Sequence, residues 1–217
     1  IKEFKQYVDS LEIDSALEVG CLSGELKDTV DASGIDISPK REDVEKVDIR
    51  NFESKIKYDL VFSSGLIEHY TEQEIIDILQ AMKRCSKKYV LNYVPNSDCV
   101  SYRKYKQRTS ASWKDEKDFT EDELAEIHEK AGLEVVETGT AAEKWVKRFG
   151  GKNKGEHYLI YCLAKVKEEN KSERCPFCNS RLKEEVITRV EPGTDEIDEQ
   201  RVIVCRNNSC SYIKYLD

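Results

Sequence analysis

The sequence predicts an α/β protein with a mostly parallel sheet, followed by a small β appendage. Apolar runs of strand length recur along residues 15–166, and helical or charged stretches separate them. Strands that alternate with helices form parallel sheets, because each helix carries the chain back to the same edge. Four of the eight cysteines lie within residues 175–217, which sets that end of the chain apart.

The composition argues against several classes of protein. With 217 residues, 39% of them hydrophobic, the chain can bury a core, so wholesale disorder is not expected. No apolar run approaches the roughly 18 residues of a membrane span, and charged residues interrupt the first positions, so we expect neither a membrane anchor nor a secretory signal. The net charge of −8 argues against a nucleic-acid surface. We therefore expect a cytoplasmic protein with reduced thiols.

The strands are predicted from short apolar runs. Parallel strands that are covered on both faces read as continuous apolar segments, and these runs fit that description. The predicted strands are Ser15–Gly20, Ser33–Ile37, Tyr58–Ser63, Lys88–Val94, Leu133–Thr138 and His157–Val166.

The helices are predicted from apolar periodicity and from start signals. Ile1–Ser10 is expected to be an entry helix. Thr71–Cys85 and Thr120–Ala131 each open with a threonine followed three residues later by a glutamate, Glu74 and Glu123, and this spacing is typical of a capping box. The charged stretch 165–174 marks a boundary, so we expect domains over residues 1–166 and 171–217.

A glycine turn and two acidic residues predict a nucleotide site. Gly20 ends the first strand and Gly24 follows it, and glycine at a strand end lets the backbone turn and approach a ligand. Asp36 ends the second strand, where a carboxylate can accept both ribose hydroxyls, and Ile37 can pack on a base. Asp48, in a short strand expected at residues 47–50, can accept a hydrogen bond from an adenine amino group.

The order of these features resembles the class I S-adenosylmethionine-dependent methyltransferases, nearest the type 11 group with its Leu-Glu-His turn after the fourth strand. Here that turn is Leu66–Tyr70, and a Val-Pro-Asn turn follows at Val94–Asn96. A later helix opens with Phe119–Thr120 and ends at Ala131–Leu133. The similarity covers Ser15–Val166, and it implies a Rossmann-like, mostly parallel seven-stranded sheet with trimmed helices.

The resemblance implies S-adenosylmethionine as the cofactor and assigns residues to it. Asp36 would hold the ribose, Asp48 and Ile49 would face the adenine, and the Ser63–Ser64 pair would line the sulfonium. Leu22 stands where the family usually has its middle glycine, which would alter the approach of the backbone to the ligand. The implied cofactor site comprises Glu18, Gly20, Cys21, Gly24, Asp36, Ile37, Asp48, Ile49, Ser63 and Ser64.

The acceptor side is less defined. His69 follows the fourth strand and is the best candidate for a catalytic base, because an imidazole exchanges protons near neutral pH; its alternative is a structural histidine. Glu68 is expected to hold the loop, and His128 on its Glu-rich helix is expected to be solvated. His157 is a candidate for lining the substrate entrance.

A basic and aromatic segment at residues 101–108 follows the fifth strand, where relatives place an element that covers the substrate. Arginine could hold an anion and aromatic rings could stack on a base, although a solvated surface helix is the alternative. The candidate substrate residues there are Tyr102, Arg103, Tyr105 and Trp113.

The last cysteines predict a four-cysteine zinc ribbon, because a C-x-x-C pair and a C-x₄-C pair on neighbouring hairpins can surround one tetrahedral Zn²⁺. The strands between the pairs are expected at Glu185–Val190 and Arg201–Cys205, with a turn at Pro192–Asp195. Four cysteine ligands make such a zinc structural, and a rubredoxin-like iron is the alternative. The predicted ligands are Cys175, Cys178, Cys205 and Cys210.

Several functions fit the sequence. The favoured one is methyl transfer to an oxygen or nitrogen of a small molecule or exposed polar group, with an unidentified acceptor. Alternatives are methylation of RNA or of a translation-associated protein through the ribbon, and a catalytically inactive cofactor-binding scaffold. Residues 166–217 carry a net charge of −2, which favours a protein partner over RNA. A nicotinamide-dependent oxidoreductase fits poorly, because the G-x-G-x-x-G motif is missing.

Overall fold

The chain forms two compact units, Ile1–Lys167 and Glu168–Asp217. The computed structural model describes residues 2–108, 116–151, 155–167, 182–190, 197–205, 210 and 213–215. The division falls inside the charged stretch 165–174. Within the described residues, we find no helix with both the length and the apolar character to cross a membrane.

The first unit is built on a seven-stranded sheet of order β3-β2-β1-β4-β5-β7-β6. The parallel pairs join β3 to β2, β2 to β1, β1 to β4 and β4 to β5, whereas β7 runs antiparallel to both β5 and β6. The predicted mostly parallel seven-stranded sheet is therefore confirmed. Its strands are β1 (Ala16–Val19), β2 (Ser33–Asp36), β3 (Glu45–Lys46), β4 (Tyr58–Ser64), β5 (Ser86–Pro95), β6 (Glu134–Ala141) and β7 (Leu159–Lys165).

Five α-helices accompany the described part of this sheet, and the one between β1 and β2 has only five residues. Thr71 and Thr120 form the predicted capping boxes, each with the glutamate three residues later. The basic segment at residues 101–108 is helical. The helices are α1 (Lys2–Asp9), α2 (Glu25–Thr29), α3 (Glu72–Cys85), α4 (Val100–Arg108) and α5 (Glu121–Lys130).

Two hydrophobic clusters cover the two faces of the sheet. Alternate residues of a strand point to opposite faces, so Val61 belongs to one cluster and its neighbours Leu60 and Phe62 to the other. The first cluster includes the apolar residues of α3 and α5, and the second includes Phe4 and Val8 of α1. Helices on both faces thus hold the carboxyl ends of β1, β2 and β4 at one edge.

His128 lies in the core, so the prediction that it is solvated was wrong. Its Nδ1 is 2.7 Å from the carbonyl oxygen of Leu124, and its Nε2 is 2.7 Å from Oδ1 of Asn92. Complete burial lowers the pKa of this imidazole to about 4. Asn92 also donates from Nδ2 to Oγ of Ser63 at 2.7 Å, which makes a buried chain of polar groups across β4, β5 and α5.

The second unit contains a three-stranded antiparallel sheet of order β10-β9-β8. β8 (Leu182–Val190) pairs with β9 (Ile197–Cys205) along nine registers, and β10 (Ile213–Tyr215) pairs with the other edge of β9. Both strands predicted for this region lie in the β8–β9 pair and are longer than predicted. The predicted turn at 192–195 lies outside the described residues.

The four predicted metal ligands are only half described. Cys205 is buried at the end of β9 and Cys210 is partly buried, whereas Cys175 and Cys178 lie outside the described residues. The zinc ribbon therefore stays a prediction.

Candidate cofactor and acceptor site

The turn after β1 has a left-handed backbone at three alternate residues. Gly20, Leu22 and Gly24 have φ of 74°, 34° and 71°. A Cβ at position 20 would lie 2.8 Å from Cδ1 of Leu66, so a side chain added there would force the Leu66 side chain to move. Leu22 holds a conformation that favours glycine, and its side chain is 44% exposed. The predicted turn is present, with leucine in the strained middle position.

Asp36 joins the loops that follow β1 and β2. Its Oδ2 accepts a hydrogen bond from the backbone N–H of Leu22 at 2.9 Å, and its Oδ1 accepts one from Ser38 at 2.6 Å. A carboxylate has about four acceptor positions, so each oxygen keeps capacity for a further donor. Ile37, the next residue in the sequence, is 57% exposed, so its apolar side chain is open to solvent.

Glu18 and Cys21 lie inside this edge. Oε2 of Glu18 accepts a hydrogen bond from the backbone N–H of Lys27 at 2.7 Å, so the carboxylate caps the first turn of α2. Burial raises the pKa of Glu18 to about 7 and that of Cys21 to about 12. The thiol of Cys21 faces the carbonyl of Ile35 at 3.6 Å. In this arrangement both side chains support the turn from within.

Asp48 follows β3 but is not in a strand. It accepts a hydrogen bond from the backbone N–H of Arg50 at 2.9 Å and caps a 3₁₀ turn, Ile49–Asn51. The Arg50 guanidinium also donates to both carboxylate oxygens and lowers the pKa of Asp48. Ile49 is buried and packs in the core, and its expected place beside an adenine stays a prediction. A strand was predicted at residues 47–50, but the observed strand, β3, already ends at Lys46 because Asp48 begins this turn.

The charges of Asp36 and Asp48 both act on the phenol of Tyr70, a residue that sequence reasoning did not single out. Burial raises the pKa of its phenol, and the charges of Asp48 and Asp36 both contribute in the same direction. Both carboxylates therefore lie within electrostatic range of the same ring. The guanidinium carbon of Arg50 lies 5.7 Å from the centre of that ring. The aromatic residue after the Ile-Glu-His turn was the available sequence signal.

The two serines at the end of β4 differ. Ser63 is fully buried, and its hydroxyl accepts the bond from Asn92, while its expected place beside the sulfonium stays a prediction. Ser64 is partly exposed at the strand end and is followed by Gly65 at φ 70°. Neighbouring residues of a strand point to opposite faces of the sheet, so the side chains of Ser63 and Ser64 point in opposite directions.

The turn after β4 brings His69 beside an acidic segment. Nδ1 of His69 is 3.5 Å from Oε1 of Glu116, and the imidazole is 49% exposed. The backbone N–H of Lys117 donates to the carbonyl of Glu68 at 2.9 Å, which ties the two segments together. Burial raises the pKa of Glu68 to about 8, and the charges of Glu116 and Asp118 add to that effect. Sequence reasoning missed Glu116, which lies 48 positions beyond Glu68 and carries no local signal.

The candidate substrate residues on α4 point in different directions. Tyr102 is fully buried and packs with Val146 and Phe149, and its expected contact with substrate stays a prediction. Arg103 is exposed, and the ring of Tyr105 lies 5.3 Å from that of Phe149. Trp113 lies outside the described residues.

His157 precedes β7 rather than opening it. Its carbonyl accepts a hydrogen bond from Nδ2 of Asn96 at 3.1 Å, and its buried Nδ1 has no hydrogen-bond partner among the described residues. Its expected contact with substrate stays a prediction.

Comparison with known proteins supports the architecture. No family model matches the chain, and no curated protein matches it. Among solved structures, a SAM-dependent methyltransferase of Thermotoga maritima matches with a TM-score of 0.59 and 19% identity, over 76% of this chain and 88% of that one.

Two further structures match comparably. The magnesium protoporphyrin IX methyltransferase of Synechocystis PCC 6803 with bound SAH gives a TM-score of 0.52 and 14% identity, over 76% of this chain and 80% of that one. The complex between the Haloferax volcanii Trm112 methyltransferase activator and a methyltransferase gives a TM-score of 0.54 and 15% identity, over 75% of this chain and 88% of that one. The chain therefore has the fold of class I S-adenosylmethionine-dependent methyltransferases.

Proposed function

We propose that the first unit binds S-adenosylmethionine and transfers its methyl group to an oxygen or nitrogen of a small molecule or an exposed polar group. The observation that carries this proposal is the bond between Asp36 and the backbone of Leu22, which joins the loops after β1 and β2. It lies on a sheet whose antiparallel β7 stands between β5 and β6, unlike the order 3-2-1-4-5-6 of dinucleotide-binding domains. Two of the matching structures contain bound SAH or SAM.

The residues of this edge fit the parts of such a cofactor. The free acceptor positions of Asp36 suit the ribose hydroxyls, and the exposed side chain of Ile37 suits the face of an adenine. The turn at Gly20 and Gly24 exposes backbone near the expected amino-acid tail. The cofactor supplies an activated methyl group, so the protein mainly has to orient the acceptor and exclude water.

The acceptor is expected beside the end of β4. Ser64 and the half-exposed imidazole of His69 lie at this end of the strand. A neutral imidazole here can take the proton that an acceptor hydroxyl or amine must lose, and such assistance is worth about 10²- to 10⁴-fold in rate. His69 thus stays the candidate base of this proposal.

Calorimetry with S-adenosylhomocysteine tests the cofactor. We expect binding to the full chain and none of NADH. Asp36→Asn is expected to weaken S-adenosylhomocysteine by about tenfold or more, because charge-assisted hydrogen bonds are the strong ones. The matched control is Asp31→Asn, which changes an exposed aspartate just before the start of β2 and should leave the affinity unchanged. Absence of S-adenosylhomocysteine binding to the wild-type chain would refute the proposal.

The second unit is proposed to be a structural zinc ribbon that contacts a protein partner. The paired β8–β9 hairpin and the buried position of Cys205 support a compact β unit near the predicted ligands. One matching methyltransferase structure contains an activator protein, which supports a partner of this class. By elemental analysis, we expect the variant with both Cys205 and Cys210 changed to serine to hold one zinc fewer per chain than the wild type. A full zinc content in that variant would contradict the ribbon.

The remaining alternatives predict other results. An RNA methyltransferase would bind RNA with a steep salt dependence, and Arg103→Glu would weaken that binding. A scaffold would bind S-adenosylhomocysteine yet show no turnover with any class of acceptor. Methyl transfer from radiolabelled cofactor to small-molecule, protein and RNA fractions separates these cases.

A further inference from the structure

Three side chains near the end of β4 bring one potential metal-ligand atom each to a common point. One ligand atom from each of Glu68, His69 and Glu116 lies within 4.8 Å of the other two. Donors about 2.1 Å from a shared ion stand about 3 to 4.2 Å apart, so only small side-chain adjustments are needed. Within this group, Nδ1 of His69 lies 3.5 Å from Oε1 of Glu116.

Glu68 gives a second and independent indication of a missing ligand. The residue is 4% exposed, and its Oε2 has no hydrogen-bond partner among the described residues. Buried carboxylates are normally paired or bound to a metal, because an ionised group loses its hydration on burial. Glu68 thus belongs to the group of three side chains and also carries a buried carboxylate oxygen without a hydrogen-bond partner among the described residues.

The nearest buried lysine does not fill this role. Nζ of Lys106 donates to Oδ1 of Asp118 at 2.8 Å and to the backbone carbonyl of Glu116 at 2.5 Å. The structure gives it no ion pair with the side chain of Glu68 or Glu116 within the described residues. Lys106 therefore pairs with Asp118, and its charge only opposes the rise in the pKa of Glu68 and Glu116 without a direct ion pair to either carboxylate among the described residues.

We propose that Glu68, His69 and Glu116 bind a divalent first-row transition metal ion. Two carboxylates and an imidazole form a mixed oxygen and nitrogen ligand set, which suits Mn²⁺, Fe²⁺, Co²⁺ or Zn²⁺, whereas Mg²⁺ and Ca²⁺ prefer oxygen alone. On binding, the ion would displace the proton that burial favours on Glu68, and the two ionised carboxylates would then match its two positive charges. Three protein ligands leave coordination positions for water or for an oxygen of another molecule.

This site excludes one role of His69. A lone pair that binds a metal ion cannot take a proton, so in the metal-bound protein His69 would act as a ligand, and the base role proposed above would hold only for the metal-free protein. The metal site does not depend on the cofactor, since none of its three ligands belongs to the loops after β1 and β2.

Titration of the metal-free full chain with Mn²⁺, followed by the electron paramagnetic resonance signal of the free ion, tests the site. Mn²⁺ is chosen because cysteine thiolates select softer metals, so the cysteine-rich second unit contributes little. We expect one tightly bound Mn²⁺ per chain. Glu116→Gln and His69→Asn should each weaken binding by at least about tenfold, as loss of a ligand removes one of only three.

The controls separate folding from binding. Glu129→Gln changes an exposed glutamate on α5 and should bind Mn²⁺ like the wild-type chain. Glu68→Gln should lose the ion as well, and circular dichroism reports whether this buried substitution still folds. His69 is half exposed, so its variant keeps the test decisive. A wild-type chain that binds no Mn²⁺, or variants at His69 and Glu116 with unchanged affinity, would overturn the site whether or not S-adenosylhomocysteine binds.

Discussion

The two halves of the seven-stranded sheet hold their polar side chains in different ways. In the half with β1, β2 and β3, the strands have four, four and two residues, and Asp36 and Glu18 bond to backbone N–H groups of nearby loops. In the half with β4, β5 and β7, the strands have seven, ten and seven residues. There the polar side chains contact one another across long stretches of sequence, as Asn92 and His128 do.

The half with β1, β2 and β3 thus depends mainly on local interactions, and the half with β4, β5 and β7 depends mainly on tertiary ones. A turn stabilised by backbone conformation depends on residues that are close in sequence, so its integrity rests on single positions such as Gly20. A network of side chains from β4, β5 and α5 depends on the whole packed unit, so it fails with the fold. Three measurements test whether the two halves respond in these two ways.

The largest expected effect is the pH dependence of stability through His128. Its pKa is about 4 in the folded protein and about 6.5 in the unfolded chain, so the unfolded state binds a proton first as the pH falls. The contribution is fully present above pH 6.5 and is lost between 6.5 and 4. The loss approaches about 3 kcal/mol at pH 4. Urea unfolding of the wild type and of His128→Gln measures it.

The His128→Gln variant should be less stable at pH 7, because the packed imidazole is lost. Its stability should also fall less steeply than that of the wild type between pH 6.5 and 4. Parallel slopes in this range would mean that other groups cause the acid sensitivity, and the buried network would lose its assigned role.

The next effect concerns the local turn. Gly20→Ala places a Cβ at a φ of 74° and 2.8 Å from Leu66, so we expect a loss of about 2 to 3 kcal/mol from strain and overpacking together. Gly150→Ala is the matched control, since its φ is 76° and no atom lies within 4 Å of the added Cβ. Denaturant unfolding should give a smaller loss of about 1 kcal/mol for the control.

Leu66→Ala should partly restore the stability of Gly20→Ala, because it removes the atom that the new Cβ meets. Additive effects of the two substitutions would show that the contact between the β1 and β4 loops does not cause the loss.

The smallest effect distinguishes the two serines of β4. Ser63→Ala removes the acceptor of a buried bond from Asn92 and should cost about 1 kcal/mol of stability, with S-adenosylhomocysteine affinity unchanged. Ser64→Ala, at the exposed strand end, should leave stability within about 0.5 kcal/mol and change the affinity instead. Calorimetry measures the affinity of both variants and thermal unfolding measures their stability. The reverse pattern would mean that Ser63 contributes to binding and Ser64 to stability.

The sequence predicts what is local. The strands follow from their apolar runs, and the capping boxes at Thr71 and Thr120 follow from a glutamate three residues later. β3 was misplaced because Asp48 prefers to cap a turn with Arg50, a side-chain interaction that a propensity does not express. In contrast, the approach of Glu116 to His69 arises only from the folded chain.

His128 shows a signal that was available and overlooked. It follows Leu124 by four residues and Ile127 by one, so helical periodicity places it on the apolar face of α5. The nearby glutamates suggested an exposed helix, but they occupy the opposite side. The partner of the imidazole, Asn92 on β5, could not be predicted, since 36 positions separate the two.

The position of β7 also governs the order in which the chain can fold during synthesis. β5 pairs with β7 along seven registers, yet β7 is the last strand of the first unit to be made. Until Leu159–Lys165 has left the ribosome, the nascent sheet has an open strand edge at β5 and cannot close on β6. The unit thus completes its sheet only near the end of its own translation, and a premature stop before residue 159 yields an aggregation-prone product in place of a smaller folded unit.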